Sequence, residues 1–280
     1  MEQLYILLDL LFPFEWMDHI FMKNAFLAVL LVTPLFGILS TMVVSNRMAF
    51  FSDSLGHGAF TGIAIGVLLG TVSPLLALVI FSVVFSFVIT YIKSKSSAST
   101  DTVIGVFSST AIAIGLMLMS YGGGFNKFSS YLIGDLLSIM PEDIFALCGV
   151  FLGVVLVWAL IFNQLLVLSI NPSFARSRGI PALLIESFFA AMLAVIVAVS
   201  IQWVGLLIIN SLLVLPAAAA RNVTNNVKSY HLFSVLTAMF SGFAGLILAY
   251  YLNMAAGATI VVVSAVVFFL TLLAKPYCVQ

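Results

Sequence analysis

The chain has 280 residues, of which 63% are hydrophobic and 7% charged, with ten Lys and Arg against ten Asp and Glu and a mean hydropathy of +1.27. Ordinary soluble domains carry about a quarter charged residues, so a soluble globule of this size would lack the polar side chains to cover its own surface. Zero net charge removes the electrostatic case for nucleic acid, and the ~10-residue segments of alternating polarity that a membrane β-barrel requires are absent.

What remains is an all-α polytopic membrane protein forming one transmembrane domain over residues 1–280. It begins MEQLYILLDLLFPFEWMDHIF, with acidic residues where a signal peptide would be basic, so no cleavable signal is expected. Residues 4–14 are apolar but too short to cross, which predicts an interfacial helix. Apolar runs of spanning length then lie near 25–45, 48–70, 72–92, 102–121, 144–162, 182–200, 203–219, 231–251 and 257–274. They predict eight to nine transmembrane helices. YLIGDLLSIM, 131–140, is too short to span and reads as a re-entrant or packed segment. Pro216 falls inside the run at 203–219 and predicts a kink or break there.

Alternating nine spans with the N-terminus outside puts Arg47, Lys93, Lys95, Arg176, Arg178, Arg221, Lys228 and Lys275 on one side. Only Lys23 and Lys127 fall on the other, so the first side is cytoplasmic. The outer side collects Glu2, Asp9, Glu15, Asp18, Glu142 and Asp143, as solvated caps or as a rim that gathers cations. Cys148 and Cys278 fall at different depths, which argues against a disulfide.

The second run contains FFSDSLGHGAFTG, 50–62. His57 lies ten residues beyond Arg47, about 15 Å deeper in a helix and near the bilayer midplane. Asp53 is one turn back; an i,i+4 pair shares a face, and Thr61 continues the row. The adjacent row of Ser54, Gly58, Gly62, Gly66 and Gly70 lets another helix approach closely. A carboxylate at that depth costs several kcal/mol unless it meets a partner or water, which marks a functional site. The simpler alternative is an Asp–His hydrogen bond that only locks packing. The functional reading is a divalent-cation site, since imidazole with carboxylate suits zinc, manganese or ferrous iron. Two ligands are few for zinc, and a symmetric dimer would supply two Asp and two His.

Other polar positions read first as structural. His19 is an outer interfacial residue, with a metal-receiving site as the alternative, and His231 an interfacial cap, with an exit-path ligand as the alternative; Asp135 is a structural carboxylate and Glu186 a helix-start carboxylate. Asn210 and Ser211 suit interhelical hydrogen bonds. SINPSFARSRGIPA, 169–182, is the longest basic cytoplasmic interruption; Pro172 and Pro181 bracket a short helix that Gly179 can end in a left-handed conformation. From composition it is either an ordinary basic loop or a docking surface. No G-x-x-x-x-G-K-[ST] loop occurs, so ATP-driven transport would need hydrolysis in another subunit.

Four stretches, in order, resemble blocks of the permease subunits of bacterial high-affinity zinc, manganese and iron ABC importers, the ABC-3 family. They are MAFFSDSLGHGAFTG (48–62, its Asp-x-x-x-His signature), YLIGDLLSIMPED (131–143), VGLLIINSLLVLPAAAAR (204–221) and AAGATIVV (255–262). The resemblance implies a multi-pass permease of the bacterial inner (cell) membrane, working as a homodimer amid membrane lipid. It further implies two cytoplasmic ATP-binding subunits and an extracytoplasmic metal-binding protein. Asp53 and His57 carry over as the metal path, and the segment with Arg176, Arg178 and Gly179 as the ATPase-coupling helix. No permanently bound cofactor is implied; the ion is transported Zn2+ (or Mn2+/Fe2+). YLIGDLL and SLLVLPA look more like the zinc branch. The rivals are a manganese/iron permease of the same family, a stand-alone channel, and an intramembrane metal-dependent enzyme. Against the enzyme stands the lack of an H-E-x-x-H or comparable ligand set.

Overall fold

The computed structural model describes residues 1–70, 73–121 and 136–278. Among these, all regular structure is helical. The helices are α1 (Glu2–Leu11), α2 (Ile20–Ser45), α3 (Ala49–Leu69), α4 (Pro74–Lys95), α5 (Thr100–Tyr121), α6 (Pro141–Ile170), α7 (Pro172–Ser177), α8 (Ala182–Val204), α9 (Leu206–Leu212), α10 (Leu215–Val223), α11 (Val227–Leu252) and α12 (Ala256–Cys278). Seven of them (α2, α4, α5, α6, α8, α11 and α12) are long and apolar enough to cross a membrane. Two of the nine apolar runs take other forms. α3 has spanning length at 21 residues but carries Asp53, His57 and a glycine row. The run at 203–219 is broken, because α9 ends at Leu212 and Pro216 occupies the first turn of α10. Proline suits that position, where its missing N–H has no helical partner to lose. α1, with ten residues, is only about 15 Å long, half a hydrocarbon core.

The chain forms two compact units. The first comprises Met1–Thr41, Ile133–Leu152 and Trp203–Gln280. Within it α10, α11 and α12 pack on one another and α9 packs on α12. Glycines set the closest approaches. A Cβ on Gly245 would stand 2.5 Å from the Ile260 Cα, and one on Gly37 2.7 Å from the Val235 Cα. Beside Gly37, Ser234 donates to the Gly37 carbonyl (2.7 Å) and shares a hydrogen bond with Ser40 (2.8 Å), so buried hydroxyls join α2 to α11. α1 is held by polar contacts. Tyr5 donates to Asn24 (2.6 Å), Asn24 donates to the Ile139 carbonyl (3.0 Å), and Lys23 pairs with Asp9 (2.7 Å). That pairing gives one of the two outer cations a partner.

The second unit comprises Met42–Leu132 and Gly153–Gln202. Its centre is α3, flanked by α4 and α5. Ser73 caps α4 by accepting from the Leu76 N–H, Pro74 opens that helix, and Lys93 and Lys95 occupy its last turn, where they suit the carbonyl end of the dipole. Residues 71–72 and 122–135 lie outside the described residues, and with them Lys127, Asp135 and most of the segment predicted to be re-entrant. Of that segment, Leu136 and Ile139 are buried.

Candidate functional site

α3 uses its three faces differently. Toward α4 it presents glycines. A Cβ on Gly58 would lie 3.1 Å from the Phe85 ring, on Gly62 2.9 Å from the Leu78 Cα, and on Gly66 2.7 Å from the Ala77 Cβ. Gly70, expected in the same row, is instead the C-cap of α3 at φ +62°, donating to the Gly66 carbonyl (3.3 Å), and a Cβ there would meet nothing within 4 Å among the described residues. Its work is to end the helix in the left-handed conformation that glycine adopts without strain.

Toward α5 the helix presents Thr61. Its buried hydroxyl donates to the Ala111 carbonyl, and a Cβ on Gly115 would stand 2.9 Å from Thr61 Oγ1. Thr61 therefore does not continue the row of Asp53 and His57. Each i,i+4 step overshoots a full turn by about 40°, so two steps carry Thr61 about 80° around the helix.

The third face is only partly buried. From Phe51 to Ala64 only Asp53, His57 and Phe60 escape burial. His57 Nε2 lies 3.3 Å from Asp53 Oδ2, with the side chains 34% and 46% exposed. Metal–donor bonds of about 2.0–2.1 Å to this oxygen and nitrogen would subtend roughly 107°, near the tetrahedral angle. The pair can thus act as two corners of a metal's coordination shell when Nε2 carries no proton. It supplies only two corners. Among the described residues, no three His, Cys, Asp or Glu side chains come together in a group able to hold a metal.

The basic segment forms α7. Asn171 caps it by accepting from the N–H groups of Ser173 and Phe174 (3.1 and 3.0 Å). At its end the Ile180 N–H bonds the Ala175 carbonyl and the Gly179 N–H bonds the Arg176 carbonyl, with Gly179 at φ +71°. That is a Schellman termination. Ala175 is fully buried while Arg176 and Arg178 are exposed, and the Arg178 guanidinium lies 5.0 Å from the centre of the Phe174 ring. The result is a short, rigidly capped helix offering cations and an aromatic ring.

Glu186, read from sequence as a helix-start carboxylate, has a specific partner. Lys93 Nζ lies 2.9 Å from its Oε2, joining α4 to α8. No local pattern announces a pairing across 93 positions. His231 makes an intrahelical contact, Nδ1 to the Val227 carbonyl at 2.9 Å, in the first turns of α11. His19 is exposed and stacks on Phe21, its ring centre 6.0 Å from that of Tyr250. Ser211, expected to hydrogen-bond across helices, has its Oγ buried with no hydrogen-bond partner among the described residues.

The model of the ABC 3 transport family matches residues 18–275. The chain belongs to the ABC 3 transport family. It is 29% identical to the manganese import system permease protein ScaB of Streptococcus parasanguinis, over 91% of both chains. It is 30% identical to the high-affinity zinc uptake system membrane protein ZnuB of Haemophilus influenzae, over 84% of this chain and 90% of that one. Its fold matches a chain of the solved structure of PsaBC from Streptococcus pneumoniae in complex with Fab. There the TM-score is 0.78 and the identity 26%, covering 97% of this chain and 95% of the other. Like these relatives the ABC 3 chain is a transport component, a multi-pass permease of a bacterial membrane, and not an enzyme.

Proposed function

We propose that this permease belongs to an importer of divalent transition metal ions, zinc first among them, and that Asp53 and His57 form the transport site. The observation that carries the proposal is the partly exposed α3 face on which the only Asp and His of the helix stand 3.3 Å apart. An ionisable pair at mid-span is not tolerated against lipid and requires water, an ion or protein beside it. Two copies of the chain related by a twofold axis would place two carboxylates and two imidazoles around one passage. The two negative charges would offset those of a divalent ion, and the neutral imidazoles would complete a four-cornered shell. A transport site must also release its ion, so a shell shared between mobile subunits suits the task better than a closed one.

In this reading a metal-binding protein delivers the ion from outside. ATP-binding subunits dock on α7 and its exposed Arg176 and Arg178, and their closure and opening expose Asp53 and His57 to each side in turn. Manganese is the second reading, favoured by the likeness to the manganese permease ScaB. Uptake of radiolabelled zinc and manganese into proteoliposomes holding the chain, its ATPase and its binding protein tests both. ATP-dependent zinc uptake that excess manganese fails to suppress supports zinc, and the converse supports manganese. Metal flux without nucleotide or partners would replace the importer by a channel.

A further inference from the structure

We infer that the Lys93–Glu186 ion pair is the link through which the docking segment steers the helix carrying Asp53 and His57. The inference rests on reading residues 171–181 as the ATPase contact. Glu186 lies five positions beyond Pro181, near the start of α8, and Lys93 lies in the last turn of α4. Their charged atoms are 2.9 Å apart and the side chains only 25% and 29% exposed. The ammonium suits its own helix terminus, the carbonyl end of α4, whereas Glu186 lies beyond the first turn of α8 and takes Lys93 as its partner. What their contact adds is a tie between the helix that leaves the docking segment and the helix that braces α3.

From Lys93 onward the path is made of close packing. α4 meets α3 where side chains are missing: a Cβ at Gly62 would strike the Leu78 backbone, one at Gly66 would stand 3.2 Å from the Pro74 Cα, and the Phe85 and Phe81 rings cover Gly58. Side chains absorb small displacements by changing rotamer, whereas backbone in contact with backbone does not. A shift of α4 is therefore passed to α3 at the two successive turns of Gly62 and Gly66, on the helix that carries Asp53 and His57. Without the ion pair, α8 could follow the docking segment while α4 and the site stayed behind. ATP would then be spent without moving the ion.

The test uses the assembled transporter in proteoliposomes, with zinc and manganese as separate probes and three readouts: ATP hydrolysis, metal uptake and co-purification of the ATPase. Lys93→Met and Glu186→Gln should each lower ions moved per ATP about three- to fivefold while the ATPase co-purifies undiminished. The reversed pair, Lys93→Glu with Glu186→Lys, should recover most of that ratio; it also carries the test if either single variant fails to insert. A wild-type ratio in both single variants, or a reversed pair no better than they are, overturns the inference. Failure of the docking reading is separately visible. If Phe174→Ala, Arg176→Ala and Arg178→Ala together leave ATPase co-purification intact, the docking reading falls and the inference with it. If they abolish co-purification while the ion-pair variants keep the wild-type ratio, only the inference falls.

Discussion

The Thr61 hydroxyl donates to the Ala111 carbonyl, which turns the Thr61 side of α3 toward α5. With Thr61 turned into α5 and the glycines turned into α4, Asp53 and His57 are left on the remaining, partly exposed face of the helix. Replacing Thr61 by Val should remove the bond while keeping the shape, at about 1 kcal/mol, and Thr61→Ser should retain most of it. Gly115→Ala should cost more, since its new methyl would stand 2.9 Å from Thr61 Oγ1 and 3.1 Å from the Thr61 nitrogen. Thermal unfolding of the detergent-solubilised chain orders the three variants.

Asp53→Ala and His57→Ala should each reduce metal uptake to background while ATPase co-purification stays at the wild-type level. Each variant halves the donors that one copy offers, and leaves the buried faces of α3 untouched. Asp53→Asn is the sharper change, because it keeps volume and hydrogen-bonding capacity and removes only the charge that offsets the ion. Uptake at wild-type rates in Asp53→Asn would take the carboxylate out of the mechanism.

The glycine row separates two kinds of glycine. Gly62→Val should disrupt α3–α4 packing and lower expression and thermal stability together, because the leading carbon alone would meet the Leu78 Cα at 2.9 Å. Gly70→Ala should cost about 1 kcal/mol through its left-handed backbone and leave metal uptake unchanged, since among the described residues nothing lies near its Cβ. Unfolding and uptake measured on the same preparations distinguish a lost seam from a strained cap.

Much of this architecture is written in local pattern. The apolar runs announce the spans, Pro216 announces the break before α10, and Pro172 with Gly179 announces α7 and its left-handed end. The acid–imidazole pair stands out because so little else in its helix ionises. What pattern does not carry is long-range partnership. The row reads as four equivalent glycines, yet the last is a cap, because the helix ends there and the packing seam ends with it. Thr61 reads as part of the site row, yet helical drift delivers it to α5. Glu186 finds Lys93, and Asn24 finds Ile139, only once the chain is folded.

Arg176→Ala with Arg178→Ala should weaken ATPase co-purification several-fold and leave metal binding to the isolated permease unchanged. Both guanidinium groups are exposed on α7, whereas Ala175 anchors the segment from beneath. Gly179→Ala should act in the same direction by straining the turn at φ +71°. Undiminished co-purification in the double variant would assign docking to another surface.

Arg47 supplies the last prediction. α2 ends in a Schellman turn, with the Met48 N–H on the Val43 carbonyl (2.8 Å) and the Arg47 N–H on the Val44 carbonyl (3.2 Å). The residue at the left-handed position of that turn is Arg47, at φ +56°, where glycine is the usual occupant. An L-residue with a Cβ holds this conformation at about 1–2 kcal/mol, and the exposed Arg47 side chain makes no burial contribution to offset it. Arg47→Gly should therefore raise stability by up to about 1 kcal/mol, the gain being trimmed by the greater freedom of glycine in the unfolded chain. Arg47→Lys, which keeps charge and strain alike, should leave the thermal midpoint where it is. If lysine matches glycine, strain is not the controlling quantity. If glycine stabilises but uptake falls, the strained joint two residues before α3 contributes to the movement of Asp53 and His57 rather than to the fold alone.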